Sequence, residues 1–302
     1  MESELTNQVL SSILLLLMVI IIFGNSLVLI AVSRFRRKAT PSCILIVNLA
    51  IADLILGLVL PIQAFARLHS DFGKSKYACF LRLSSMVFSS FSSMFAVMLM
   101  AIDRFFGVCH CISYHQNNSV KKTSLAVATV WIYSILLAIY PIRFFFESDS
   151  SAARECIVKH VISSSYLIFI PVQYFVIILI ISFMYFKIVK VALNKKRVIS
   201  VQTGFVLASR AMRLHRELRA AKMMAAIILV FVFCWTPFAV VLLYDVSTEP
   251  TNQTVGRLVD VSVFLGIINS AVNPAIYPLQ NRGFKKAFRE ILHCANKTNA
   301  KD

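Results

Sequence analysis

The chain has 302 residues, of which 58% are hydrophobic and 15% are charged, and it carries a formal net charge of +17. A soluble domain has about a quarter of its residues charged, so this composition excludes an ordinary soluble protein and favours a membrane protein. The positive charge is spread over several loops, which favours contact with anionic lipid and acidic cytosolic partners over binding of nucleic acid.

Apolar stretches long enough to cross a bilayer follow one another along the chain. Crossing roughly 30 Å of hydrocarbon takes about 20 helical residues. Seven such spans are predicted, to within several residues at each end: Val9 to Val32, Cys43 to Ala66, Cys79 to Val108, Ser124 to Ile142, Ser164 to Val191, Met223 to Tyr244 and Leu258 to Leu279. The predicted fold class is an all-α membrane protein, a seven-transmembrane helix bundle.

The basic residues predict which way the bundle faces. Lys and Arg near the ends of spans stay cytoplasmic, and most of the 31 lie on one side if the N-terminus is outside. We therefore expect an extracellular segment at 1–8, a helix bundle at 9–281 and a cytoplasmic tail at 295–302. A Gly-Asn-Ser interruption replaces any cleavage site, so the first span is expected to be retained. Asn252, in a sequon, is then the expected outer glycosylation site.

The cysteines divide by compartment. Cys79 opens the third span and Cys156 lies in the longest outer loop, so both face the oxidising side and a disulfide between them is expected. Residues 282–294 form an amphipathic stretch, which predicts a short eighth helix along the cytoplasmic membrane surface. Palmitate on Cys294 would add a second anchor there, and an unmodified thiol is the alternative.

Polar residues inside the spans are candidate functional residues. An ionisable group at bilayer depth is costly unless it faces a cavity or a partner. Asp53 is the deepest such group, and other spans carry polar residues at matching depth: Asn25, Ser93, Asn269, Ser270 and Asn273. Because carboxylate, hydroxyl and amide oxygens suit a small hard cation, we predict a sodium ion at Asp53. A helix-packing network without an ion is the alternative.

Short motifs in nearly every span carry a family resemblance. They are GNSLV, NLAIADL, AIDRF, FCWTPF and NPAIY, together with Cys79, Trp131 and the 282–294 surface helix. From end to end the chain resembles a rhodopsin-like (class A) G-protein-coupled receptor, in the broad branch of adenosine, melanocortin, cannabinoid and lysophospholipid receptors. The resemblance implies one receptor domain over 1–302 that is not an enzyme. It also implies that an extracellular ligand activates a heterotrimeric G-protein by outward movement of the sixth helix.

The resemblance assigns a switch to residues near the inner membrane surface. It implies that Glu217 holds Arg104, which follows Asp103, until activation releases the arginine to the G-protein. Tyr185 and Tyr277 are the implied tyrosines of this switch. The implied activation residues deeper in the bundle are Phe231, Trp235, Pro237, Asn273 and Pro274. An interfacial arginine beside a capping aspartate is the alternative interpretation of the Asp-Arg pair.

Two positions depart from the family pattern. Phe105 stands where the family usually has Tyr. Ile177 stands where the fifth helix usually has proline, and Pro171 lies nearly two turns closer to the outside. The bulge of the fifth helix that accompanies activation in the family is therefore not implied for this chain.

The outer halves of four helices supply the implied ligand pocket: Arg82, Met86, Val87, Ser90, Phe169, Phe238, Leu242, Val263 and Ile267. Met86 stands where amine receptors carry an aspartate. Leu242 and Ile267 stand where adenosine receptors carry Asn and His, so both ligand classes are disfavoured. Arg82 at the rim of an apolar cavity favours a lipid or other amphiphilic small molecule with a phosphate or carboxylate. Contact of Arg82 with lipid headgroups or Asp71 is the alternative.

Other functions are weighed against this one. A peptide ligand is favoured by acids near the last outer loop and disfavoured by the short N-terminal segment, and a nucleoside-type receptor is a further alternative. A transporter or channel is disfavoured because the sequence shows no internal repeat. An intramembrane enzyme is disfavoured because all six His residues fall in loops or at helix ends, which leaves general-base chemistry without a site. The expected partners are a heterotrimeric G-protein, an extracellular small-molecule or lipid ligand, membrane lipids and arrestin. No cofactor is expected apart from sodium as an allosteric ligand.

Overall fold

A computed structural model describes residues 2–35, 40–69, 72, 75–110, 120–141, 162–201, 205–247, 253–280 and 282–298. These residues form eight helices: α1 (Glu2–Phe35), α2 (Pro41–Leu68), α3 (Lys76–Cys109), α4 (Val120–Ile139), α5 (Ser164–Val201), α6 (Phe205–Val246), α7 (Gln253–Gln280) and α8 (Arg282–Thr298). Helices α1 to α7 are long and apolar enough to cross a membrane. The predicted seven-helix bundle with a short eighth helix is confirmed.

Several helices run further than the predicted spans. Helix α5 continues to Val201 and α6 starts at Phe205. The Lys, Arg, Ala and Leu residues there favour helix, while the charges of Lys and Arg keep these segments out of hydrocarbon. Helix α1 starts at Glu2, so most of the expected N-terminal segment at 1–8 is helical. Helix α8 reaches Thr298, beyond the expected boundary at 294.

Helix α4 ends at Ile139, three residues before the predicted end of its span at Ile142. Pro141 explains the early end, because it has no N–H to donate to the Leu137 carbonyl one turn back. That carbonyl instead accepts a 2.6 Å hydrogen bond from the hydroxyl of Tyr166. The end of α4 is thus tied to the start of α5.

Helix α3 is the centre of the bundle, since it packs against α2, α4, α5 and α6. Helix α7 packs between α1 and α6. Large apolar side chains such as Leu179 (70% exposed) and Phe233 (73% exposed) cover the outside, as expected of helices surrounded by lipid. Following the predicted orientation, the end of the bundle that holds the start of α1 is called the outer end, and the end that holds α8 the inner end.

Candidate functional site

A cleft lies among α3, α5 and α6 in the outer half of the bundle. Its empty volume, open solvent included, is about 370 Å³. Its described lining residues are Ser90, Phe91, Met94, Ile170, Pro171, Tyr174, Phe231, Trp235, Phe238 and Ala239. Since none of them is charged at neutral pH, the cleft suits an uncharged and largely apolar molecule.

Trp235 of α6 lines the cleft. Its ring centroid lies 6.3 Å from that of Phe231 and 5.9 Å from that of Phe238, which meets it edge-on. Gly266 of α7 makes room for the indole, because a Cβ at Gly266 would lie 2.9 Å from it. The indole N–H is buried and has no hydrogen-bond partner in the described part of the chain. The ring therefore links the cleft to both α6 and α7.

Four residues predicted for the ligand pocket lie in or near the cleft. Ser90 and Phe238 line it, whereas Val87 and Leu242 pack into the main core behind it. The Ser90 hydroxyl donates to the Met86 carbonyl at 2.7 Å, so within α3 it is already satisfied.

The other predicted pocket residues lie elsewhere. Met86, Val263 and Ile267 pack with apolar residues of α1 and α2, and Phe169 is 40% exposed. Sequence reasoning missed Tyr174 on the cleft wall, because hydropathy does not fix the rotation of a lipid-embedded helix such as α5 about its axis.

Arg82 lies on the α2 side of α3 and outside the described cleft lining. Its Nε donates to Gln63 Oε1 at 3.0 Å, and Gln63 Nε2 donates to the Arg82 carbonyl at 3.1 Å. Asp71, the alternative partner, lies outside the described residues. The two bonds tie α2 to α3 at the outer end.

An ion pair that the sequence did not predict joins α2 to α7. Arg67 Nη2 donates to Asp260 Oδ1 at 2.7 Å, and its Nη1 donates to Oδ2 at 3.4 Å. The guanidinium also lies 5.8 Å above the ring centre of Phe264, a distance suited to a cation–π contact. A contact between residues 193 positions apart has no signature in local sequence.

Asp53 is fully buried in the middle of the bundle. Its carboxylate accepts hydrogen bonds from Ser270 Oγ at 2.6 Å, Asn273 Nδ2 at 2.9 Å and Ser93 Oγ at 3.3 Å. Asn25 Nδ2 donates to the Ser270 carbonyl at 3.2 Å. The structure therefore brings polar residues of α1, α2, α3 and α7 together around one carboxylate.

The oxygen atoms of this cluster fit a small cation. The side-chain oxygens of Asn25, Asn269 and Asn273 are buried and accept no hydrogen bond from the described residues. A buried acceptor without a donor costs about 1–3 kcal/mol, which a bound cation would offset. Among the described residues, no three His, Cys, Asp or Glu side chains come close enough together to hold a metal ion. The chemistry therefore suits an oxygen-liganded monovalent ion better than a transition metal.

The inner half of α7 is held between α1 and α8. A Cβ at Gly24 would lie 2.9 Å from Pro274 Cγ, so the glycine lets α1 approach α7 closely. Tyr277 is fully buried, and its ring stacks on Phe284 of α8 with centroids 5.3 Å apart. Its hydroxyl has no hydrogen-bond partner among the residues that the structure describes. A movement that gave this hydroxyl a partner would be favourable.

Arg104 is buried at the inner end, with 3% of its surface exposed. It forms an ion pair with Asp103, and its Nε donates to Asp103 Oδ2 at 3.1 Å. Its Nη2 donates to Ser42 Oγ at 2.6 Å, and that hydroxyl donates to Asp103 Oδ2 at 3.1 Å. Ser42 of α2, which sequence reasoning missed, thus bridges the charged pair. The Glu217 side chain lies outside the described part of the structure.

The inner ends of α3, α5 and α6 are in contact beside Arg104. The hydroxyl of Tyr185 donates to the Ala221 carbonyl of α6 at 3.3 Å. Buried Val108 and Ile188 pack with Ala221, and Phe105 packs against this cluster. These contacts join α3, α5 and α6 at the inner end.

Other predicted sites fall wholly or partly outside the described residues. Cys79 is disulfide-bonded, whereas its predicted partner Cys156 lies outside them. Asn252 and the side chain of Cys294 also lie outside them. The glycosylation, palmitoylation and disulfide partner predicted at these positions stay predictions.

Comparison with known proteins identifies a matching family and related chains. Residues 24–277 match the family "7 transmembrane receptor (rhodopsin family)". The chain is 26% identical to the "Probable G-protein coupled receptor No18" of Amphibalanus amphitrite, over 97% of this chain and 92% of that protein. It is 30% identical to the "Melatonin receptor type 1B-B" of Danio rerio, over 94% and 81% of the two chains. It is also 30% identical to the "Somatostatin receptor type 1" of Rattus norvegicus, over 89% and 68%.

Proposed function

Because the chain belongs to the rhodopsin family of seven-transmembrane receptors, multi-pass proteins of the plasma membrane, we propose that outward movement of α6 activates a heterotrimeric G-protein. An extracellular ligand drives this movement, and the protein is not an enzyme. The N-terminus faces outside and α8 lies in the cytosol, as the basic residues of the inner segments favour. Those basic segments also attract anionic lipid and acidic surfaces of cytosolic proteins.

The buried Arg104 is the observation that carries this proposal. Its charge is satisfied by Asp103 and Ser42 while α5 and α6 are in contact. Moving a guanidinium out of such surroundings is costly unless a new acceptor replaces them. A backbone carbonyl or carboxylate of the G-protein would be that acceptor once α6 has moved. The arrangement thus supports two states, each of which satisfies the charge.

The ligand of this receptor is proposed to be a lipid or other amphiphilic small molecule. The uncharged cleft lining supports an apolar body, and Met86, packed with α1 and α2, offers no counter-ion to a protonated amine. A phosphate or carboxylate at Arg82 would compete with Gln63 for the guanidinium. Peptide and nucleoside ligands are the alternatives. The names of the relatives include melatonin and somatostatin, so the family alone does not select among these classes.

We also propose a bound ion, three covalent modifications and further partners for this receptor. A sodium ion at Asp53 acts as an allosteric ligand, with Ser93, Ser270 and the buried amide oxygens as its neighbours. Cys79 pairs with Cys156, palmitate on Cys294 anchors α8, and Asn252 carries glycan. Arrestin and membrane lipids are further partners.

A signalling screen tests the proposed function. Cells expressing the chain are exposed to lipids, nucleosides and peptides, and activation of a panel of G-protein α-subunits is measured per receptor at the cell surface. We expect a response in the wild type that Arg104→Ala abolishes at normal surface expression. Arg219→Ala is the matched control and should keep the response, because Arg219 is an exposed arginine at the inner end of the membrane-spanning part of α6, Leu218–Val246. An equal response in Arg104→Ala and the wild type contradicts the proposal.

A further inference from the structure

Tyr174 of α5 connects the cleft to the proline turn of α6. Its ring lines the cleft and is 6% exposed. Its hydroxyl lies 2.7 Å from Oγ1 of Thr236, which directly precedes Pro237 inside α6. A polar contact therefore joins the two helices at the level where the ligand would lie.

The hydrogen-bond directions follow from the number of protons available. Thr236 donates its single hydroxyl proton to the Val232 carbonyl at 2.6 Å. The bond from Thr236 to that carbonyl is much shorter than the 3.4 Å between the carbonyl and the Tyr174 hydroxyl, so we take Tyr174 as the donor in the contact with Thr236. Two hydroxyl groups thus form a chain that ends on the backbone of α6.

These two hydroxyl groups contact α6 at its proline turn. Pro237 has no N–H to donate to the Phe233 carbonyl, so α6 is weakest at this turn and bends there most easily. Tyr185 joins α5 to α6 again at the inner end, through the Ala221 carbonyl. Helix α5 therefore holds α6 at two points, one directly before Pro237 and one at the inner end.

We infer that Tyr174 and Thr236 are positioning residues, whose hydrogen bond holds α6 against α5. The bond breaks when a ligand accepts the hydrogen bond of the Tyr174 hydroxyl in place of Thr236. This inference rests on the proposed movement of α6 and adds to it the residues that restrain the movement. It also narrows the ligand class. An activating ligand carries a hydrogen-bond acceptor, such as a carbonyl, ether or hydroxyl oxygen, next to Tyr174. A wholly apolar molecule leaves the bond in place.

Hydroxyl deletions test the inference without a known ligand. Tyr174→Phe keeps the ring and Thr236→Val keeps the shape, while each removes one end of the bond. A net hydrogen bond of ordinary strength corresponds to about a fivefold change in an equilibrium constant. We expect each variant to raise ligand-independent G-protein activation about fivefold, and the double variant to rise no further. Tyr133→Phe is the matched control, because that hydroxyl accepts from Gln173 on the exposed face of α4 and α5.

A second readout is independent of the G-protein. Ala221 is 4% exposed in the contact between α5 and α6, so a cysteine introduced there by Ala221→Cys becomes reactive when α6 moves away. The alkylation rate of this thiol in the purified receptor should rise with Tyr174→Phe and with Thr236→Val, and stay unchanged with Tyr133→Phe. Additive effects of the two deletions, or unchanged alkylation, overturn the inference. Faster alkylation without a change in signalling supports it and counts against the proposed G-protein coupling.

Discussion

Asp53 of α2 is fully buried, and its carboxylate contacts two other helices. A buried carboxylate is tolerated when donors surround it, and Ser270, Asn273 and Ser93 supply them from two helices. The sequence predicts polar partners for Asp53, because an ionisable group at bilayer depth is costly unless it faces a cavity or a partner.

The expected consequence is a sodium-dependent stability. A ligand that binds only the folded state raises the midpoint of thermal unfolding. We expect the purified wild type to unfold several degrees higher in NaCl than in N-methylglucamine chloride of equal ionic strength, and Asp53→Asn to lose that difference. Ser134→Ala, at a buried serine of α4 whose hydroxyl donates to the Val130 carbonyl, should keep it. An equal sodium effect in Asp53→Asn and the wild type would remove the ion from the account.

Other contacts of single residues could not be predicted. Ser42 bridges Arg104 and Asp103 across 62 and 61 positions of sequence, and Arg67 meets Asp260 across 193. Such pairs depend on how each helix is rotated and on which rotamer its long side chain adopts. Hydropathy fixes neither of these.

At the scale of elements, prolines decide what the hydropathy pattern leaves open. Pro141 stops α4 before the predicted end of its span, and Tyr166 of α5 takes over the carbonyl that the helix can no longer satisfy. Pro171 lies inside α5 and does not end it, and the helix continues to Val201. The number and order of the helices followed from the apolar runs. Their ends did not, since charged segments extend α5 and α6 beyond the apolar part.

The contact between α7 and α8 makes a prediction at this scale. Phe284 is 5% exposed and stacks on Tyr277, so Phe284→Ala leaves a cavity between the two helices. Such a truncation costs about 3 kcal/mol in a packed core. We expect a clear drop in the midpoint of thermal unfolding of the purified protein. Leu292→Ala, on the same helix and 46% exposed, should change it little. Equal drops in the two variants would mean that α8 does not support α7.

At the scale of the whole molecule, α5 and α6 are in contact at the inner end of the bundle, and a cleft lies in its outer half. Trp235 of α6 and Tyr174 of α5 both line that cleft. Toward the inner end, Tyr185 of α5 donates a hydrogen bond to α6. Helix α6 bends most easily at Pro237, and the part between Pro237 and the inner end is a continuous helix. A small displacement near the cleft can therefore move the inner end of α6. The family resemblance implies a pocket in the outer halves of the helices and a switch at the inner end. The residues that line the cleft depend on the packing of three helices, so only part of that set was predicted.

The distance between the inner ends of α3 and α6 tests the central claim most directly. Spin labels at His110→Cys and Arg219→Cys, both exposed positions, would report it in lipid nanodiscs with and without nucleotide-free G-protein. The account predicts that the G-protein adds a population with a longer distance, and that Arg104→Ala removes this population. A G-protein that binds without changing the distance, or an unchanged long-distance population in Arg104→Ala, would contradict the account.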